Sequence, residues 1–169
     1  MANATSRRQW VLWALERYEV PLTRYSLRLL GEQDSAREAV QHAFLQLCER
    51  SAEELEGREA QWLFTVCRNK ALDLIRGRQK FAAAGEAGLA EFPGREPDPA
   101  ALAEQQDLAG RLNQLVAQLP ASQREAIDLW SEGFSNRQIA QVTGHSEGNV
   151  RVLVHRAIKQ LREDCKVLR

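Results

Sequence analysis

The segment from Ser135 to Glu163, SNRQIAQVTGHSEGNVRVLVHRAIKQLRE, constrains this chain more than any other stretch, because its second half divides sharply into two faces. Val150, Leu153, Val154, Ala157, Ile158 and Leu161 recur at helical spacing on one stripe, the pattern of a helix packed on a core. At 100° per residue, Arg151, His155, Lys159 and Arg162 fall on the opposite stripe, flanked by Val152 and Arg156. No acidic residue interrupts Asn149 to Arg162. Such a helix has one side committed to the protein interior and another suited to a polyanion.

The boundaries of this unit follow from backbone chemistry. The first free N–H groups of a helix need acceptors, and Ser135 with Gln138 three residues on forms a capping-box pattern, while Ser146 can cap the following helix. Gly144 stands where the first helix must end, a position that favours positive φ. Ala140 is small enough for the two helices to cross closely. Ala140, Gly144 and Val150 have the spacing of helix-turn-helix proteins, which the segment resembles, and that resemblance implies DNA as the polyanion.

Zero net charge over 169 residues argues against DNA binding only if charge is evenly spread. Residues 1–80 carry 13 basic and 11 acidic side chains, residues 81–107 carry 1 and 6, and residues 108–169 carry 9 and 6. An acidic middle therefore conceals two mildly basic ends. No apolar run approaches the roughly 20 residues of a membrane span, and the N-terminus lacks a signal-peptide apolar core, so a cytoplasmic protein without membrane insertion is expected. Cys48, Cys67 and Cys165 are too few and too scattered for a disulfide framework. Cys48 and Cys67 lie in amphipathic patterns beside Leu45, Leu47, Leu63 and Val66 and are expected to be buried. A zinc site built with His42 lacks a close ligand pair, so no metal and no cofactor are expected.

The predicted organisation is all-α, with two small helical domains joined by a flexible acidic linker and the C-terminal one containing the helix-turn-helix. The first domain spans residues 1–80, with Trp10, Trp13, Leu22, Tyr25, Leu29, Val40, Phe44 and Leu47 at helix-compatible spacing. Pro21 is expected to start or bend a helix. Helices are expected from Ser35 to Arg50 and from Ala60 to Gln79, joined by a Glu-rich connection that turns at Gly57. The Ala60 helix is expected to direct Trp62, Leu63, Val66, Cys67, Leu74 and Ile75 toward a core. Residues 81–101, rich in Ala, Gly, Glu and Pro, form the linker. Residues 102–169 form the second domain, with helix-turn-helix at about 135–163; Pro120 ends one helix and Ser122 with Glu125 forms another capping-box pattern.

The stretch WLFTVCRNKALDLIRGRQK sets Arg68, Lys70, Arg76, Arg78 and Lys80 against one acid, Asp73. Cations hold phosphates, aromatic rings stack on unpaired bases and an amide reads a base edge, so Trp62, Asn69 and this cluster suit single-stranded nucleic acid. The same residues equally suit a structural role, with Trp62 in the core and the cations complementing the helix dipole.

Taken in order, YEVPLTRYSLRLLG, AREAVQHAF, WLFTVCRNKALDLIR and LPASQREAIDLWSEGFSNRQIAQVTGHSEGNVRVLVHRAIKQLR resemble the extracytoplasmic-function (ECF) bacterial sigma factors over about residues 15–163. The resemblance implies a protein that directs core RNA polymerase to promoters and helps to open them, with core RNA polymerase, promoter DNA and an anti-sigma protein as partners. It implies polymerase contact through Glu38, Gln41 and His42, with Arg37 and His42 standing where members commonly carry acids. It implies handling of the displaced −10 strand by Trp62, Asn69, Lys70, Asp73, Arg76, Arg78 and Lys80, together with the connection from about Ser51 to Ala60, which is rich in acids (Glu53, Glu54, Glu56 and Glu59). It implies −35 duplex contact by Ser146, Asn149, Arg151, Val152, His155, Arg156 and Lys159, with Val152 suited to a thymine methyl group. An alternative is a helix-turn-helix regulator whose N-terminal domain binds a signal or dimerises. An enzyme is not expected, since the three histidines lack a nucleophile or metal constellation.

Overall fold

The computed structural model describes the backbone of residues 2–83 and 105–167, and the side chains of 6–83 and 109–166. All regular elements among these residues are helices, in two compact units, Met1–Gly94 and Arg95–Arg169. The linker expected at 81–101 lies outside the described residues, apart from positions 81–83, which continue a helix.

The first unit contains α1 (Ala2–Leu30), α2 (Gln33–Cys48), α3 (Ala52–Leu55) and α4 (Glu59–Ala83). Helices α1, α2 and α4 pack against one another in all three pairings. Ala14, Ala36, Ala39, Ala43 and Ala71 are completely buried at these crossings, where small side chains let helices approach and leave room for Leu22, Leu47, Leu63 and Phe64 to fill the centre. The rings of Tyr25 and Phe64 meet at 5.2 Å, tilted by 53°. The expected turn at Gly57 is present: Glu56 and Gly57 both take left-handed backbone, with φ of 50° and 77°.

Three local expectations yield to tertiary packing. Helix α1 runs through Pro21 instead of starting there, although a proline removes one backbone bond and crowds the preceding turn at a cost of about 3 kcal/mol. Leu22, directly after it, and Tyr25, one turn on, are buried, and this apolar burial offsets the local penalty. Cys48 is exposed where a buried thiol was expected, as is its neighbour Leu45, because α2 presents Ala36, Ala39, Val40, Ala43, Phe44 and Leu47 to the core. In α4, Leu63 and Cys67 are buried as expected, but Trp62, Val66, Leu74 and Ile75 are only half-buried; Phe64 and Ala71 complete the inner face.

Cys67 is the buried thiol of the three. Its Sγ lies 2.9 Å from Ser26 Oγ, and burial pushes its pKa up to about 11, an effect that the Ser26 hydrogen bond only partly opposes. In the unfolded chain the thiol ionises near the ordinary value, whereas in the folded chain it stays neutral. Stability from this site is therefore intact below about pH 9 and falls as pH rises toward 11, by about 2–3 kcal/mol if the group acts alone. A thiol reagent at neutral pH should modify Cys48 and Cys165 quickly and Cys67 only after denaturation; three equally fast thiols would contradict this packing.

The second unit contains α5 (Gln105–Gln118), α6 (Ala121–Ser131), α7 (Asn136–Thr143) and α8 (Glu147–Val167). Helix α6 packs on α7 and α8, α7 packs on α8, and α5 touches α8. Leu119, Leu129, Ile139, Val150 and Ala157 form the core. The capping box expected from Ser122 and Glu125 does not form: Pro120 is the N-cap residue, with φ −51° and ψ 143°, and no side chain caps the helix. The helix starts two residues ahead of the expected Ser122 cap, with Leu119 buried just before it, so Ser122 falls inside the first turn and Glu125 is buried.

Candidate nucleic-acid interface

In the second unit, local chemistry builds the outer helix as the spacing implied. Ser135 Oγ accepts from the Gln138 N–H at 3.3 Å, while Gln138 Oε1 accepts from the Ser135 N–H at 2.9 Å. Helix α7 ends at Gly144, φ 77°, whose N–H donates to the Ala140 carbonyl at 2.9 Å. Ser146 Oγ then accepts from the Asn149 N–H at 3.2 Å and starts α8. Thr143, which the sequence reading passed over, pins the turn from inside: its buried hydroxyl donates to the Ile139 carbonyl at 2.8 Å and accepts from the His145 N–H at 3.4 Å.

Helix α8 buries Val150, Leu153, Val154 and Ala157 and half-buries Ile158 and Leu161. Asn149, Arg151, Val152, His155, Arg156, Lys159 and Arg162 are exposed together on its outer face. Val152 is an apolar residue in a polar field, with 44% of its surface open. Arg151 meets Glu147 at 3.6 Å, but both side chains are well exposed, and an exposed pair of this kind is worth about 0–1 kcal/mol and yields readily to a phosphate or base. The Ser146 side chain is exposed but already occupied as a cap.

In the first unit the structure sorts the seven candidate −10 residues into two groups. Trp62, Asn69, Asp73, Arg76 and Lys80 fall within about 60° of arc on α4, directly opposite Leu63, Phe64, Cys67 and Ala71. All five but the half-buried Trp62 are exposed. Arg76 and Asp73 pair at 2.8 Å along this stripe. Lys70 and Arg78 lie off it. Lys70 reaches Glu38 of α2 at 2.9 Å, and Arg78 ties α4 to the α1–α2 junction through the Leu30 carbonyl (3.4 Å), the Glu32 carboxylate (2.6 Å) and the Ser35 hydroxyl.

The connection between α2 and α4 ends beside Trp62. The Arg50 guanidinium lies 5.9 Å from the Trp62 ring centre and 3.5 Å from Glu54. Ser51 caps α3 by accepting from the Glu54 N–H at 3.4 Å. A backbone hydrogen bond, and after it the Ser51 side chain, hold the Glu53 carboxyl below the usual carboxylate range. Glu59, by contrast, turns inward and accepts from Trp10 Nε1 at 3.4 Å. Three acids of the connection thus remain outside, and one serves the core.

Glu38, Gln41 and His42 lie on the outer face of α2, with Glu38 and Gln41 exposed and His42 half-buried. Leu45 sits among them at helical spacing, 67% exposed. Among the described residues there is no group of three or more potential metal ligands, and no helix is long and apolar enough to cross a membrane.

Two families match this pair of helical units in order. Sigma-70 region 2 matches residues 14–81, and Sigma-70, region 4 matches residues 109–161. The ECF RNA polymerase sigma factor SigL of Mycobacterium tuberculosis is 33% identical over 147 residues, covering 83% of this chain and 80% of that protein. The ECF RNA polymerase sigma factor SigE of Mycolicibacterium smegmatis is 29% identical over 143 residues, and the match spans 55% of its length. Among solved structures, the sigma factor RpoE in complex with the anti-sigma factor NepR from Bartonella quintana has a TM-score of 0.66 at 26% identity, covering 96% of this chain and 98% of that one. CnrH in complex with the cytosolic domain of CnrY shares the fold, with a TM-score of 0.60 at 20% identity, covering 98% and 95%. The chain belongs to the ECF RNA polymerase sigma factor family. The alternative of a helix-turn-helix regulator with an unrelated first domain loses its basis, since the region 2 match occupies that domain.

Proposed function

We propose that this protein directs core RNA polymerase to a particular set of promoters and takes part in opening them, acting in the cytoplasm and catalysing no reaction of its own. The observation that carries the reading is the pairing of two helices with opposite but complementary tasks on one chain. The outer face of α8 offers arginines, a histidine and an apolar side chain to a duplex, whereas the stripe on α4 offers an aromatic ring, an amide and cations to a single strand. In this reading Arg151 and Arg156 contact base edges, Lys159 and Arg162 meet phosphates, and Glu38, Gln41, His42 and Leu45 dock on polymerase. Trp62, Asn69, Asp73, Arg76 and Lys80 handle the displaced strand, while Arg78 contributes by holding α4 in place.

Transcription with purified core polymerase and this chain, followed by start-site mapping, tests the reading. Starts that share upstream sequence and depend on the added chain are expected. A chain that shifts duplex DNA strongly without core, and adds no starts with it, would be a regulator instead. Val152 gives a finer test: Val152→Ser removes an exposed apolar contact and is expected to change preference at one −35 position by about three- to fivefold, in keeping with roughly 1 kcal/mol for a single base contact. Uniform binding across all substituted sites would argue against a thymine-methyl contact. Both structural neighbours are bound to a second protein, the anti-sigma factor NepR in one and the cytosolic domain of CnrY in the other, and an anti-sigma protein is proposed as a partner here too. Affinity purification from native cells that recovers only polymerase would count against it.

A further inference from the structure

The Lys70–Glu38 pair joins two faces that the functional reading gives to different partners. Lys70 belongs to α4, which is proposed to meet DNA, and Glu38 belongs to α2, which is proposed to meet polymerase. We propose that Glu38 withholds Lys70 from nucleic acid in the free chain, so that the two faces draw on one shared ion pair. The inference rests on the assignment of α4 to single-stranded DNA.

The geometry separates this pair from its neighbours. Arg76 and Asp73 pair within one exposed stretch of α4, both about two-thirds exposed, so a phosphate can take Arg76 without moving a helix or meeting an acid from elsewhere. Arg78 is fixed by three groups around the α1–α2 junction, a load too large for one competing phosphate to displace. Lys70 is intermediate. Its ammonium meets the Glu38 carboxylate at 2.9 Å, and its side chain is only 27% exposed while that of Glu38 is 54% exposed. Two effects of the same sign then oppose DNA. The ammonium charge is compensated at contact distance, and the carboxylate that compensates it repels any phosphate approaching the same flank of α4.

The pair can also be opened from the other side. Glu38 shares the outer face of α2 with Gln41 and Leu45, and a partner that takes its carboxylate releases Lys70. Binding at α2 and binding at α4 are then thermodynamically linked: whatever polymerase docking gains for DNA at α4, DNA at α4 returns to docking. The linkage needs no rearrangement of the helix core, only the exchange of one exposed carboxylate between two cations.

The test uses the full chain without polymerase and a fluorescein-labelled single-stranded DNA of mixed sequence, with anisotropy titrations over a range of salt concentrations. Glu38→Gln is expected to bind about fivefold tighter than the unaltered chain at low salt, and the slope of log K against log salt should steepen by about 0.7, the increment for one added phosphate contact on a single strand. Lys70→Gln leaves the Glu38 carboxylate uncompensated, so it should bind no tighter than the unaltered chain and its slope should not steepen, and the double variant, whose net charge equals that of the unaltered chain, should lose the gain. Glu49→Gln, an equal charge change at the C-cap of the same helix, 11 residues beyond Glu38, should leave the slope unmoved. Unaltered affinity and slope in Glu38→Gln would overturn the inference, as would a gain that survives in the double variant or is matched by Glu49→Gln. Start-specific transcription by the unaltered chain with core polymerase is read separately. Its failure removes the functional reading itself, whereas an active holoenzyme with an unmoved Glu38→Gln titration removes only the shared pair.

Discussion

Replacing Arg151 and Arg156 together by glutamine is expected to lower initiation at cognate promoters by at least about 30-fold while leaving the fold intact. Each arginine is exposed on the outer face of α8, and a bidentate arginine–guanine contact discriminates by about 1–3 kcal/mol, so losing two such contacts removes about 2 kcal/mol even at the low end. Arg151 meets Glu147 in an exposed pair, and exposed pairs contribute at most about 1 kcal/mol. Val150, Leu153, Val154 and Ala157, which hold α8 on the second unit, are untouched, so the melting temperature should barely move. Lys159→Gln is the informative comparison. A phosphate contact is indifferent to sequence, so that variant should weaken binding to all duplexes alike and reduce the salt slope by about 0.9. Initiation at the mapped start sites that survives the double replacement would remove α8 from promoter recognition.

The second large effect is expected at Leu45. An exposed leucine among Glu38, Gln41 and His42 is an apolar contact waiting for a surface, and burying such a residue at the centre of an interface is worth about 2 kcal/mol. Leu45→Arg should therefore weaken association with core polymerase about 30-fold, measured by fluorescence titration of labelled chain with core. Because the side chain points away from Ala39, Ala43 and Leu47, thermal stability should remain within about 0.5 kcal/mol of the unaltered chain. Unchanged core affinity would show that α2 docks elsewhere or not at all.

These three residues also mark the limit of what can be read without a structure. Arg151 and Arg156 were legible because everything that orients α8 is close in sequence: the Ser135–Gln138 box, the left-handed Gly144, the Ser146 cap and a stripe whose apolar side has no competitor. Leu45 was not legible. Helix α2 carries apolar residues on both sides, and periodicity locates faces relative to a helix axis without saying which one meets a neighbour. The buried side was decided by α1 and α4, whose Leu22, Tyr25, Leu63 and Phe64 complete a core with Ala36, Ala39, Ala43 and Leu47.

The cations of α4 follow the same division. Their number, and the Trp62–Asn69–Asp73–Arg76–Lys80 stripe, are properties of a helix and its residue order, and so are the caps, the turn glycines and the absence of strand patterns. The roles of Lys70 and Arg78 depend instead on Glu38, Glu32, Ser35 and Leu30, which lie 32 to 48 positions away along the chain. Helical periodicity reaches only three or four residues, so the amino-acid order determined the helices, the ends of α7 and the start of α8, and their charged faces. Which charges remain open to a partner, and which are consumed in holding the first unit together, was decided when distant helices met.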